Sequence, residues 1–186
     1  MKEPKKYKEI SGWFDFEKLY KAAVEQIEPK EGTVFVEIGA WFGRSTCYMA
    51  ECIRESGKNI KFDVVDTWEG TQNSKHLTDP YGGCVYDVFI DNMTTAGVID
   101  YITPVKTTSH QAAERYDNET LDFVFIDGDH SYDIVRKDIE LWLPKVKKAG
   151  TIAGHDYFNA PDVRRAVHEL LGDKIITFGS CWVHKK

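Results

Sequence analysis

Apolar positions along this chain switch back and forth between helical and extended spacing. Phe16, Leu19, Tyr20, Ala23 and Ile27 recur at helical intervals, and the β-branched run 33–38 that follows is ended by Gly39. Beyond the loop 39–43, Thr46, Met49, Ala50 and Ile53 mark one face of a helix that closes near Gly57, and a second extended run covers 60–65. Residues 84–96 read as a helix and 101–105 as a strand, with Ser109 as the cap of a short helix through Tyr116. The clearest strand is 121–126. Val135, Ile139 and Trp142 then mark a helix stopped by Pro144, and a strand follows at 150–153. Val163, Ala166, Val167 and Leu170 give a last helix with Pro161 near its start, and 174–186 reads as two short strands joined around Gly179 and Ser180.

Near-continuous apolar strands separated by helices imply a parallel sheet covered on both faces, because right-handed crossovers place the helices there. The closing pair adds an antiparallel edge. In such α/β sheets ligands bind beyond the carboxyl ends of the strands, near the point where strand order reverses, so the residues just after each strand are the ones to inspect.

Length and composition narrow the picture. With 186 residues, 42% of them hydrophobic, the chain is sized for one domain, with roughly its first 30 residues as a helical extension. A formal charge of -6 and a pI near 5.5 argue against nucleic acid or anionic membrane as partners. The charged start, Met1 to Lys8, has no apolar run behind it, and a cytoplasmic location is the default expectation. Low-complexity stretches and repeats are absent from the sequence. Cys47, Cys52, Cys84 and Cys181 form no C-x-x-C pair and read as reduced, mostly buried thiols. The lysines at 145–148 read as a solvated helix end.

Four segments after strands carry candidate chemistry. The loop from Gly39 to Gly43 precedes a helix start with free N–H groups, while Glu37 before it would repel a pyrophosphate and suits a cationic amino group. That combination favours S-adenosylmethionine (SAM) over a nicotinamide dinucleotide. Asp66 is placed to accept from both hydroxyls of a ribose, with Trp68 set against a purine; a local cap and a packed tryptophan are the plainer alternatives. After the clearest strand stand Asp127, Asp129 and His130. Asp127 can hold a divalent metal or the cofactor, and His130 can take a proton from a hydroxyl, against a structural role in capping or packing. His155 and Asp156 follow the next strand and would join Asp127 as an open site for Mg²⁺ or a similar ion, an aspartate pair without metal being the alternative.

Together these segments, V-E-I-G-A-W-F-G-R-S-T at 36–46, D-V-V-D-T-W at 63–68, D-F-V-F-I-D-G-D-H-S-Y at 122–132 and K-A-G-T-I-A-G-H-D-Y at 148–157, resemble the class I SAM-dependent methyltransferases, nearest the sugar and macrolide O-methyltransferases and cephalosporin-hydroxylase-like proteins. The resemblance implies a Rossmann-like, doubly wound, seven-stranded sheet in three α/β/α layers with an antiparallel final strand. It implies SAM held by Glu37, Gly39, Ala40, Gly43, Ser45, Asp66, Thr67, Trp68, Ser109, His110 and Asp127, with Ser109 and His110 at the adenine edge. In metal-dependent O-methyltransferases of the catechol type, positions like Asp127 and Asp156 bind Mg²⁺ and the position like His130 is a lysine base. Here His130 replaces that lysine, and His155 stands where a carboxylate is commoner. The reading that follows is O-methyl transfer to a small-molecule hydroxyl of sugar or phenolic type, with His130 and Asp127 as catalytic residues and Asp127, His155 and Asp156 as metal candidates. A non-catalytic SAM-binding or interaction module and a nicotinamide-dependent oxidoreductase are the alternatives, the latter lacking G-x-G-x-x-G. Acceptor specificity falls to residues 70–83 and the first helix, and a second subunit, as in a homodimer, can complete the pocket.

Overall fold

The computed structural model describes residues 5–71 and 74–186, so the first residues of the charged start and two residues within 70–83 lie outside it. Its centre is a seven-stranded sheet in the order β3-β2-β1-β4-β5-β7-β6. The strands are β1 (Val34–Ile38), β2 (Lys61–Asp66), β3 (Thr103–Lys106), β4 (Leu121–Ile126), β5 (Val146–Gly154), β6 (Ile176–Phe178) and β7 (Cys181–Lys185). β1 to β5 run parallel, whereas β7 pairs antiparallel with both β5 and β6. Strand order therefore reverses between β1 and β4, and in such sheets ligands bind outside the carboxyl ends at this point.

Helices α1 (Glu17–Gln26), α2 (Arg44–Ser56), α3 (Lys75–Thr78), α4 (Tyr86–Thr95), α5 (Ser109–Ala113), α6 (Tyr132–Trp142) and α7 (Pro161–Leu171) connect the strands. Strand side chains alternate between faces, and this sorts the core into two layers. Phe35, Phe62, Phe123 and Phe125 join Tyr20, Met49, Ile53 and Phe89 of α1, α2 and α4 on one face. Val36, Ile38, Val124 and Ile126 meet Ala112, Val135, Ile139, Trp142 and Val167 of α5, α6 and α7 on the other. The α/β/α layering and the antiparallel closing strand expected from the sequence are thus present. Among the described residues no helix is long and apolar enough to cross a membrane, and the four cysteines are free, with Cys47 and Cys181 buried.

Three local readings are corrected. The cap of α5 is Thr108, whose hydroxyl accepts from the Gln111 N–H, rather than Ser109. β5 begins at Val146, ahead of the predicted 150, and Lys147 and Lys148 belong to it instead of to a helix end. A register shift between Leu121 and Phe123 admits the extra residues there, and the Lys147 ammonium lies 2.8 Å from the Asp122 carboxylate. The short α3 and the 3₁₀ turns Tyr7–Glu9 and Asp79–Tyr81 are added elements whose polar, four-residue-or-shorter sequences carry no periodicity.

Alternation also explains one buried charge. Glu37 shares the face of Phe35, so its side chain points under α1 and α2, where the Tyr20 hydroxyl donates to Oε1 at 2.8 Å and the Thr46 hydroxyl donates to Oε2. Replacing Tyr20 by Phe strips one donor from a fully buried carboxyl group and should cost about 1–3 kcal/mol. Urea unfolding measures this directly; an unchanged midpoint would mean that the Tyr20–Glu37 contact does not help to fasten α1 to the sheet.

Candidate active site

The loop after β1 is shaped by packing before any ligand is considered. Gly39 has φ +90°, and a Cβ there would lie 2.2 Å from the Asp127 carbonyl oxygen, so only glycine lets this loop pass the one that follows β4. Trp41 takes the left-handed region without being glycine, at φ +52°, and Trp68 after β2 does the same at +57°. One carboxylate holds both: Asp66 Oδ2 accepts from Ala40 N at 2.8 Å and Trp41 N at 2.9 Å, and Oδ1 accepts from Trp68 N at 2.7 Å. Oδ1 keeps unused acceptor capacity, and Asp66 is only half-buried, so the group remains able to receive a ribose hydroxyl.

Other residues singled out in the sequence sit differently. Glu37 is sealed by Tyr20 and Thr46 and is not open to a ligand's amino group; burial, only partly opposed by hydrogen bonds from Thr46, Ser45 and Tyr20, pushes its carboxyl up to about 7. Ser45 is itself buried at the start of α2 and serves Glu37, and Ala40 is buried too. Trp68 offers no face to a purine, because its ring is fully buried against Tyr86 and Phe89 at 4.8 Å between centroids. Ser109 is engaged inside the molecule: its hydroxyl donates to Asp138 at 2.6 Å and accepts from Trp142 Nε1 at 2.8 Å. Asp138, deep in α6, is likewise pushed up to about 7 by burial. His110 and Thr67 remain partly exposed at the rim. The His110 Nε2 atom is buried without a hydrogen-bond partner, 3.4 Å from Asp138 Oδ1.

The polar residues after β4 and β5 do converge. His130 Nε2 lies 3.1 Å from Asp156 Oδ2 and 3.6 Å from Asp127 Oδ1. His155 Nδ1 faces the same two oxygens at 3.3 Å and 3.5 Å. Asp156 adopts φ +58°, a third left-handed residue at this end of the sheet. A hydrogen bond with Asp127 raises the His130 pKa above the usual imidazole value in spite of burial. Burial pulls His155 down, but its hydrogen bonds with Asp127 and Asp156 prevail and push it up to about 11; Asp156 is correspondingly lowered, chiefly by His155. Asp127, His130 and Asp156 each offer one ligand atom, all within 4.8 Å of one another, so among the described residues His130 joins the carboxylates that the sequence reading grouped with His155. Two carboxylates and an imidazole suit a divalent cation that keeps several waters.

Two partners escaped the sequence reading. The far nitrogen of His155, Nε2, lies 2.9 Å from Asp15 Oδ1 and 2.8 Å from Ser180 Oγ. Neither Asp15, ahead of the first helix, nor Ser180, in the closing turn, belongs to any motif, and no signal in the sequence marks them.

A family model described as a methyltransferase domain matches residues 36–157. The uncharacterized protein y4gI of Sinorhizobium fredii is 25% identical over 122 residues, 65% of this chain, and the chain spans only 13% of that relative's length. The O-methyltransferase NovP superposes with a TM-score of 0.70 at 18% identity, covering 91% of this chain and 78% of its own. CalS11, described as a TDP-rhamnose 3'-O-methyltransferase, gives 0.62 at 14% identity, with 91% and 76% covered. At these identities the two structures share the fold.

The buried acids set a sign for pH dependence. Glu37 and Asp138 titrate higher in the fold than their ordinary values of 4.5 and 3.8, so the folded chain holds protons that the unfolded chain releases. Stability should therefore fall as pH rises from about 4.5 to about 7, by on the order of 1 kcal/mol per pH unit for each titrating group. Urea midpoints across that range test this, and Glu37→Gln should flatten the slope; a slope that Glu37→Gln leaves intact would contradict the assignment.

Proposed function

The chain belongs to the methyltransferase-domain family across residues 36–157, and from that premise we propose that it transfers a methyl group from SAM to a hydroxyl oxygen of a small molecule. The observation that carries the proposal is the meeting of Asp127, His130 and Asp156 at the carboxyl ends of β4 and β5, beside the strand-order reversal where such sheets bind ligands. The likeness of the fold to two O-methyltransferases, one named for a sugar nucleotide, supports oxygen as the acceptor atom and a sugar or phenol as its bearer.

Residues on the chain fit the cofactor. Asp66 has acceptor capacity for a ribose diol, and the part-exposed ring of His110, whose Nε2 is turned inward to Asp138, leaves its other edge beside β3 and α5, where a purine would sit in this reading. Glu37, Ser45, Trp68, Ala40 and Gly43 are buried and act behind this surface by shaping the loop, whereas Gly39 and Thr67 are part-exposed at its rim. SAM, when bound, supplies an electrophilic methyl group.

The chain's own task is to align the acceptor and remove its proton. Asp127 and Asp156 orient the hydroxyl. His130 Nε2 donates to those carboxylates until the hydroxyl displaces it and it gives up its own proton to solvent; in its neutral form it takes the acceptor's proton as the oxygen gains the methyl group. Should a divalent ion bind, Asp127 and Asp156 would hold it and it would make the acceptor hydroxyl more acidic, and His130 Nε2 would then serve either as third ligand or as base, not as both. The negative overall charge speaks against nucleic acid as acceptor.

Titration calorimetry with S-adenosylhomocysteine tests the cofactor assignment. Micromolar binding is expected, weakened about tenfold or more in Asp66→Asn, a change that keeps one acceptor oxygen for the loop amides. No binding by folded wild-type protein would overturn the reading. With an acceptor in hand, His130→Ala should lower turnover about 100-fold while leaving cofactor affinity within twofold. Loss of cofactor binding in that variant would remove His130 as the base.

A further inference from the structure

Over residues 13–16 burial alternates, with Trp13 and Asp15 exposed and Phe14 and Phe16 covered. Phe14 and Phe16 turn inward. Phe14 packs against Phe16 at 4.7 Å and Tyr48 at 5.4 Å between centroids, and Phe16 lies 4.6 Å from Phe125. This aromatic anchoring fixes the segment's path, so the opposite side, which carries Asp15, is held over β5 and β7.

There Asp15 meets His155. The imidazole is only 9% exposed and is restrained on every side the geometry defines. Its face packs on Phe16 with centroids 5.0 Å apart, Nε2 is met by Asp15 Oδ1 and Ser180 Oγ, and Nδ1 points to Asp127 Oδ1 and Asp156 Oδ2. The Ser180 hydroxyl also lies within hydrogen-bond distance of both Asp15 oxygens, at 2.7 Å and 2.9 Å, which ties the N-terminal segment to the β6–β7 turn. Asp15 is itself 61% exposed, so these contacts add little stability. Their effect is directional: they decide which edge of the His155 ring faces the carboxylate pair.

We propose that Asp15, seconded by Ser180, is a positioning residue that sets the ring of His155 and, through it, the Asp127–Asp156 carboxylates that receive the acceptor. The role builds on the transferase reading above. Asp15 and Ser180 both lie outside the family-matched residues 36–157, so the segments flanking the common domain complete the site in this chain. Partners that orient a site residue from behind commonly change activity by about 10-fold to 100-fold when removed, without entering the chemistry themselves.

The test compares wild type with Asp15→Ala, Ser180→Ala and the near-isosteric Asp15→Asn, each checked for folding by circular dichroism. Nitrogen-resolved NMR of the His155 ring and calorimetry with S-adenosylhomocysteine are run on all four proteins, and turnover is measured with an acceptor that the wild type methylates. Asp15→Ala is expected to shift the His155 Nε2 signal and to lower kcat about tenfold or more, with KM for SAM and S-adenosylhomocysteine affinity within twofold of wild type. Asp15→Asn, which keeps an acceptor oxygen, should recover part of both. Unchanged His155 ring signals in Asp15→Ala would overturn the proposal, as would shifted signals with undiminished kcat. Failure of the wild type to bind S-adenosylhomocysteine would instead sink the transferase reading, and the ring signals would still decide whether Asp15 sets His155.

Discussion

A single carboxylate, Asp66, holds the two loops on which the open end of the sheet depends. Both Trp41 and Trp68 leave their strands in left-handed backbone, a conformation that costs a non-glycine residue about 1–3 kcal/mol. Three N–H groups converge on Asp66 from these loops, and hydrogen bonds to a charged acceptor contribute about 1.5–3 kcal/mol each. The contacts outweigh the strain. Because β1 and β2 are neighbours, the same carboxylate locks the relative height of their carboxyl ends, and Gly39, pressed against the Asp127 carbonyl, carries that alignment across to β4.

Inside the sheet, charge is handled in another way. Among the described residues Glu37 and Asp138 are buried with hydroxyl partners and no lysine or arginine: Tyr20 and Thr46 for one, Ser109 for the other, with the His110 ring nearby. Asp63 combines the two strategies, with the Tyr116 hydroxyl and the Lys61 ammonium each at 2.8 Å. A hydroxyl can serve a carboxylate or a carboxylic acid, which suits groups whose proton affinity burial has raised to about 7. Each of these acids also ties separate segments together, α1 and α2 to β1, α5 to α6, and the end of the α5 segment to β2. Apolar packing tolerates small slides of a helix; these polar ties do not.

The fold was legible because parallel strands must be buried on both faces, and buried runs such as 33–38 and 121–126 stand out from their polar surroundings. The convergence of Asp127, His130 and Asp156 was legible for a related reason, since adjacent parallel strands bring the residues after them side by side. What misled was the direction of individual side chains. Glu37 and Trp68 occupy loop-proximal positions suited to a ligand, yet alternation turns the first under α1, and the left-handed turn drives the second into the core. Ser109 has the residue type of a cap, but Thr108, one residue earlier, is an equally good one and takes that place, while the partners of Ser109 in α6 lie about 30 residues away. Asp15 and Ser180 were invisible because the contact between them joins the two ends of the chain.

The difference in freedom between the two histidines bears on their roles. Both rings address the same pair of oxygens, Asp127 Oδ1 and Asp156 Oδ2. His155 cannot swing away, because Phe16 backs its face and Asp15 and Ser180 occupy its far nitrogen. His130 is 49% exposed and touches the carboxylates through Nε2 alone. An arriving hydroxyl or cation that takes up those oxygens can therefore displace His130 while His155 stays. A group that must collect a proton and pass it to solvent needs this combination of contact and access, which favours the exposed ring over the enclosed one for the proposed base.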